Sequence, residues 1–143
     1  MAYHVKHYMN KDIPTIEDHA SVTEAGKAMM KSGRGFLIIL KDGQPTGIVT
    51  EHDFVNKIIA GEKDPAKILV AEITSSPLIT IDPDEDLLKA SELMQNHNIR
   101  RLPVVKDGII YGVLTAREIA QRVREYVDQS IKDLMRWASP FGR

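Results

Sequence analysis

The sequence predicts an α/β fold made of two pseudo-symmetric β-α-β-β-α halves whose sheets pack against each other. Three observations predict it. The chain repeats itself at a fixed offset of 65 residues without a gap: Thr15-Ile16, Ala25, Met29, Lys41-Asp42-Gly43, Gly47 and Thr50 return as Thr80-Ile81, Ala90, Met94, Lys106-Asp107-Gly108, Gly112 and Thr115. Each copy holds a short apolar run closed by Lys-Asp-Gly, the pattern of a buried strand entering a tight hairpin. Helical periodicity brackets each hairpin. A unit of about 60 residues is marginal alone and leaves an apolar face to cover, so the copies are halves of one module. Their shared boundary supplies paired clefts, and function is sought there.

The elements follow in order. Residues 5–8 and 70–73 echo each other as short lead-ins. Ser21-x-x-Glu24 is a capping box, and Val22, Ala25 and Met29 recur at three- and four-residue steps, so a helix is expected over 22–31, ended by Ser32-Gly33. Phe36 to Leu40 is too short an apolar run for a helix and reads as a strand, returning over 46–50. A second helix begins at Glu51, with Phe54, Val55, Ile58 and Ile59 as its apolar face and Gly61 as its stop. In the second copy Asp84, Glu85 and Asp86 place acid at a helix N-terminus, where the macrodipole favours it, and Leu87, Leu88, Ala90, Ser91 and Met94 face inward. A hairpin over 102–114 leads to a helix over 116–127, with Ile119, Ala120, Val123 and Val127 facing in. The last segment carries Ile131, Leu134, Met135 and Trp137 on one face, to cap the domain or bind a second subunit. The expected organisation is a single module over 1–143, with repeats at 5–66 and 70–128 and a helical tail at 129–143.

Composition narrows the function. With 43% hydrophobic and 27% charged residues, 143 residues suit one compact domain, and a net charge of −1 without any block of like charge argues against a general nucleic-acid or membrane-surface binder. There is no cysteine, hence no disulfide framework and no thiolate site. The first residues lack the apolar run of a signal peptide, and no segment has the length of a membrane span. A cytoplasmic protein with small ligands or neutral partners is expected.

Each return strand ends alike, in Gly47-Ile48-Val49-Thr50-Glu51-His52-Asp53 and Gly112-Val113-Leu114-Thr115-Ala116-Arg117-Glu118. The glycine admits close approach of a ligand or backbone, and the hydroxyl and carboxylate stand one helical turn apart at a helix start. Free N–H groups with a threonine hydroxyl suit a phosphate, and a carboxylate accepts two hydrogen bonds from a ribose diol, so a nucleoside phosphate satisfies both. The plainer alternative makes Thr the N-cap and the acid an answer to the dipole.

These two segments, the stretch His97-Asn98-Ile99-Arg100-Arg101-Leu102-Pro103-Val104-Val105 and the duplicated element order resemble the CBS-domain family in its tandem-pair form, the Bateman module, of the stand-alone prokaryotic type. The resemblance implies a regulatory, non-enzymatic module that binds AMP, ADP, ATP or S-adenosylmethionine, with or without Mg²⁺, between its halves and signals to a protein target, commonly as a homodimer. By position, it puts Thr50 on phosphate and Asp53 on ribose in one site, with Thr115 and Glu118 in the other. His52 and Arg117 stand where the family often adds a phosphate contact, and Arg100 and Arg101 approach a phosphate near the centre. Residues 10–14, including Ile13 and Pro14, and residues 75–79, including Leu78 and Ile79, would line the adenine pockets. Glu118 stands where Asp is commoner, and its extra methylene moves the carboxylate by about 1.5 Å. The first copy also lacks the proline and paired arginines of the second, so the two sites are expected to differ. A module without ligand, acting only as a scaffold, is the rival reading.

Other signals are weaker. His4 and His7 have a spacing that serves a metal on a helix, but no third ligand is near in sequence. The acidic run from Asp82 to Asp86 reads as a solvated helix start. No nucleophile elbow, phosphate-loop lysine motif or paired metal-ligand cluster occurs, and an enzyme would have only Thr, His52 and carboxylates to work with.

Overall fold

The repeat is carried into three dimensions down to its irregularities. In the computed structural model, residues 3–75 and 77–138 are described, the side chains of residues 126 and 127 excepted. The first repeat contains β1 (Thr15–Glu17), α1 (Val22–Ser32), β2 (Phe36–Lys41), β3 (Gln44–Thr50) and α2 (Glu51–Asp53), and the second α3 (Leu87–His97), β4 (Arg101–Lys106), β5 (Ile109–Thr115) and α4 (Ala116–Ala138). β1 runs parallel to β2, which pairs antiparallel with β3; β4 and β5 form the second hairpin, beside which Ile81 makes a single parallel bridge to Val104. Both hairpins carry a bulge at the same repeat position, between Ile39 and Leu40 and between Val104 and Val105. Both Asp-Gly turns have positive φ at their two central residues, Asp42 (51°) and Gly43 (79°), then Asp107 (53°) and Gly108 (76°), the geometry whose twist matches the flanking strands.

Each repeat has its own core, and a third cluster joins them. Phe36, Ile38 and Val113 are buried where the sheets meet, with Ile13, Leu40, Ile48 and Ile110 packed around them. The lead-ins cross over. Val5, in the first turn of the chain, is wholly buried in the core of the second repeat, among Ala90, Leu102 and Leu114. Val70 and Ile73, which precede the second repeat, belong to the core of the first, with Ala25, Leu37 and Val49. Asn10 bridges to Val113 and Ser75 to Ile48. This crossing explains the glycine of each return strand. A Cβ on Gly112 would stand 2.7 Å from the Asn10 carbonyl oxygen, and one on Gly47 would collide with the Thr74 methyl group.

Several expectations are corrected. After Asp53 the chain widens into a π-helical stretch, Phe54–Ile59, which alters the angular spacing of side chains. Ile58 is buried and Phe54 half-buried, whereas Val55 and Ile59, expected inward, are exposed. Leu88 is exposed as well, because α3 starts at Leu87 under an Asp86 cap (Asp86 Oδ1 accepts from Leu88 N at 2.7 Å) and turns the next side chain outward. Asp84 does not serve that cap; it accepts hydrogen bonds from Lys6 at 2.8 Å and Lys106 at 3.1 Å. These ammonium groups lower its pKa from 3.8 to about 2, while Asp84 raises that of Lys106. The final helix continues to Ala138 instead of ending near 127, so the tail is its second half; Ala120 and Val123, expected inward, are exposed. The side chain of Val127 and residues 139–143 lie outside the described residues.

Candidate functional site

The first copy of the motif is closed upon itself. Thr50 ends β3, and the Asp53 carboxylate, 6% exposed, turns back to accept from the Thr50 N–H at 2.9 Å and its hydroxyl at 3.4 Å. Its other oxygen pairs with Lys57 at 3.2 Å, and Lys57 also donates to the Ile73 carbonyl at 2.8 Å, tying helix, strand end and crossing lead-in together. The carboxylate that would receive a ribose is fully engaged in its own fold. His52, next to it, is exposed.

The second copy is arranged differently. There the Thr115 hydroxyl accepts from the Glu118 N–H at 3.1 Å, which frees the carboxylate to reach outward. Glu118 Oε1 accepts from the Asn10 side-chain amide at 3.3 Å and faces Arg34 Nη2 at 3.5 Å. Arg34, itself largely buried, donates to the Asp12 carbonyl at 2.9 Å. Asn10 Oδ1 in turn accepts from the Asp12 N–H at 2.8 Å and fixes the turn that presents these groups. Residues of both repeats and of the first lead-in thus converge on one acid. Beside it opens a cleft of about 690 Å³ lined by Tyr8, Met9, Asn10, Glu118, Gln121 and Arg122, among others, a size that suits a small molecule.

A charged bridge links the copies. The guanidinium groups of Arg34 and Arg101 each lie 5.2 Å from the centre of the Phe36 ring, on the boundary between the sheets. Burial lowers the pKa of Arg101, and the Glu51 carboxylate opposes that shift. Gly35 has a φ of 73°, the left-handed region that favours glycine, and a Cβ there would stand 3.3 Å from Glu51 Oε1 and 3.6 Å from Arg101 Nη2. Arg100 and Arg117 are exposed, and among the described residues their side chains make no hydrogen bond to protein.

Of the expected adenine-lining residues, Ile13 packs at the junction of the sheets and the Pro14 carbonyl accepts from the Ile38 N–H at 2.8 Å, both half-buried. Leu78 and Ile79 are half-buried, Ile79 against the second core; Ser76 lies outside the described residues. Sequence reading missed Arg34 and Asn10 as partners of Glu118. Arg34 has no counterpart in the second copy, where Ile99 stands, so the repeat gave no signal for it. Among the described residues no group of three or more His, Asp or Glu side chains is placed to hold a metal ion, and His4 and His7 have no third partner.

The family model of the CBS domain matches residues 5–60 and 70–125. This chain belongs to the CBS-domain family. The two matches make it a tandem CBS pair, a regulatory type of module. An uncharacterized protein of Methanopyrus kandleri is 33% identical over 128 residues, covering 88% of this chain and 65% of that protein. The chain spans 31% and 57% of the length of two further relatives, so it corresponds to part of those proteins. Among solved structures, the CBS domain pair of protein MJ0100, in complex with 5-methylthioadenosine and S-adenosylmethionine, is similar with a TM-score of 0.79 and 26% identity, over 88% of this chain and 99% of that one. A hexameric CBS-CP12 protein from bloom-forming cyanobacteria is similar with a TM-score of 0.74 and 29% identity, over 82% and 69%. Among the described residues no helix of this CBS pair is long and apolar enough to cross a membrane.

Proposed function

We propose that this CBS pair is a cytoplasmic sensor that binds one adenosine ligand per chain, in the cleft beside Thr115 and Glu118, and passes occupancy to a protein target. The observation that carries the reading is the difference between the two acids: Asp53 is spent on Thr50 and Lys57, whereas Glu118 lines the cleft with Asn10 and is paired with Arg34. Glu118 takes the ribose diol, exchanging two protein contacts for two hydroxyl donors. Residues 10–14 border the adenine through backbone groups and the Ile13 and Pro14 side chains.

Charge favours a phosphorylated ligand. Lys11 and Arg122 line the cleft, so AMP, ADP or ATP finds cationic partners there that an uncharged nucleoside would leave unused. The adenosine compounds bound by the CBS pair of protein MJ0100 support the ligand class, and S-adenosylmethionine belongs in the comparison. His52 and the first-copy cleft do not contribute to this site.

Thermal unfolding with AMP, ADP, ATP, S-adenosylmethionine and a guanosine control tests the reading. A ligand at about 100 times its dissociation constant stabilises the fold by roughly 2.7 kcal/mol, several degrees for a domain of this size. A shift selective for adenosine compounds is expected. No shift with any of them leaves the module a scaffold.

A further inference from the structure

Each crossing lead-in meets the helix that follows a return strand, at equivalent positions but in different ways. Lys57 of the first repeat answers to Arg122 of the second, and Ile73 to Tyr8. In the first copy Lys57 donates to the Ile73 carbonyl at 2.8 Å and pairs with Asp53 at 3.2 Å. In the second, the Arg122 guanidinium lies 5.3 Å from the centre of the Tyr8 ring, and among the described residues it makes no hydrogen bond and no ion pair. Lys57 is tied down, whereas Arg122 keeps its donors unused. The ring itself is fixed. The Tyr8 N–H donates to the carbonyl of Val5, which is wholly buried, at 2.9 Å, and two residues on Asn10 bonds to Val113 in both directions at 2.9 Å. Of this pair, the exposed Arg122 is the part that can move.

We infer that Arg122 is the residue by which the cleft distinguishes a phosphorylated adenosine ligand from an unphosphorylated one, by moving from the Tyr8 ring onto the phosphate; the inference rests on the site proposed above. Arg122 lines that cleft together with Tyr8, Asn10, Lys11 and Glu118. It follows Glu118 by four residues on α4, so the two side chains share a face about 6 Å apart along the axis, comparable to the span from a ribose diol to its own 5′-phosphate. With Glu118 on the diol, the phosphate comes to Arg122. Glu125, which lines the cleft beyond Arg122, repels an anion that would pass this point. Strength sets the direction of the exchange. A cation above an exposed aromatic ring is held weakly, whereas a guanidinium meets a phosphate in paired, charge-assisted hydrogen bonds. Adenosine offers no such partner and leaves Arg122 on the ring. Of the other cations of the cleft, Lys6 is engaged by Asp84 at 2.8 Å, and Lys11 adds charge without a rigid fork of donors. The first copy has no equivalent device, since Lys57 is engaged and the buried Ile73 presents no aromatic face.

Calorimetric titration of adenosine and AMP into the full chain and its Arg122→Gln and Arg122→Lys variants, with NMR of the Arg122 Nε–H, tests the inference. Above a ring this proton resonates upfield, and Tyr8→Leu removes that shift, which assigns it. AMP is expected to release the proton from the ring current, whereas adenosine leaves it in place. Arg122→Gln, at an exposed position, is expected to lower the ratio of AMP to adenosine affinity by at least about tenfold, and Arg122→Lys to recover part of it. Binding of AMP with the Arg122 resonance unmoved, an unchanged ratio in Arg122→Gln, or a wild type that prefers adenosine overturns the inference and leaves the proposed site standing. Absence of binding by either compound overturns both.

Discussion

Asp53 and Glu118 hold equivalent positions in the two repeats, yet Asp53 closes its own helix start through the Thr50 N–H, whereas Glu118 reaches across the module to Arg34 of the other repeat. One methylene and the placement of the basic residue one turn on separate these outcomes: Lys57 pairs with Asp53, whereas its repeat equivalent Arg122 lies over the Tyr8 ring. Asp is short enough to cap from this position, and Lys57, one turn on, neutralises it; at Glu118 the threonine hydroxyl does the capping and the longer carboxylate is free. Asp53→Ala is therefore expected to cost about 1–3 kcal/mol of stability, through the lost cap and an unpaired Lys57, with ligand affinity unchanged. Glu118→Ala is expected to have the reverse profile. Urea unfolding and calorimetric titration of both variants separate the two effects.

The crossing of the lead-ins makes each repeat depend on residues from the start of the other. Val5 is wholly buried in the second core, and Val5→Ala is expected to cost about 2 kcal/mol. Amide exchange should place the loss of protection mainly in α3, β4 and β5. Faster exchange confined to the first repeat would contradict the crossing.

Gly112 is required by proximity, since the nearest atoms to an added Cβ are the Asn10 carbonyl oxygen at 2.7 Å and Met9 Sδ at 2.9 Å. The former belongs to the backbone and cannot swing away. Gly112→Ala is expected to destabilise by about 1–3 kcal/mol and, by displacing Asn10 from Glu118, to weaken ligand binding as well. Denaturation midpoints and ligand titration of this variant check both consequences.

The Lys6–Asp84–Lys106 bridge pins the first lead-in to the edge of β4 and gives a pH signature. Asp84 has its pKa lowered to about 2, so its contribution is complete above the unfolded value of 3.8 and is lost as pH falls toward 2. Lys106 has its pKa raised, so its contribution holds below the unfolded value of 10.5 and is lost as pH rises through the higher folded one. Both groups are exposed to solvent, and salt weakens the bridge. In Asp84→Asn the acid-side decline between these two values of Asp84 is expected to become shallower, as read from urea midpoints against pH.

Much of the fold was legible because it is local. The N-cap at Ser21 (Ser21 Oγ accepts from Glu24 N at 3.1 Å, without the return bond of a full capping box), the Asp-Gly turns and the strand runs act over a few residues, and the repeat doubled the turn and strand signals. The crossing was not legible, since Val5 and Val70 look alike in sequence whichever core they enter. The π-helical stretch was also missed, because the apolar spacing of Phe54, Val55, Ile58 and Ile59 fits an ordinary helix and only the unseen packing decides between them. Of the site, the Thr and acid positions were read from the motif, but their inequality was not. It depends on Lys57, an ordinary surface lysine by sequence, and on Arg34, which the repeat does not duplicate.

Calorimetric titration of AMP, ADP, ATP and S-adenosylmethionine into the wild type, Asp53→Ala and Glu118→Ala tests the central claim most directly. The account predicts one ligand per chain, affinity retained in Asp53→Ala, and at least about a tenfold loss in Glu118→Ala. Two ligands per chain, or a loss in Asp53→Ala with Glu118→Ala unaffected, would contradict it.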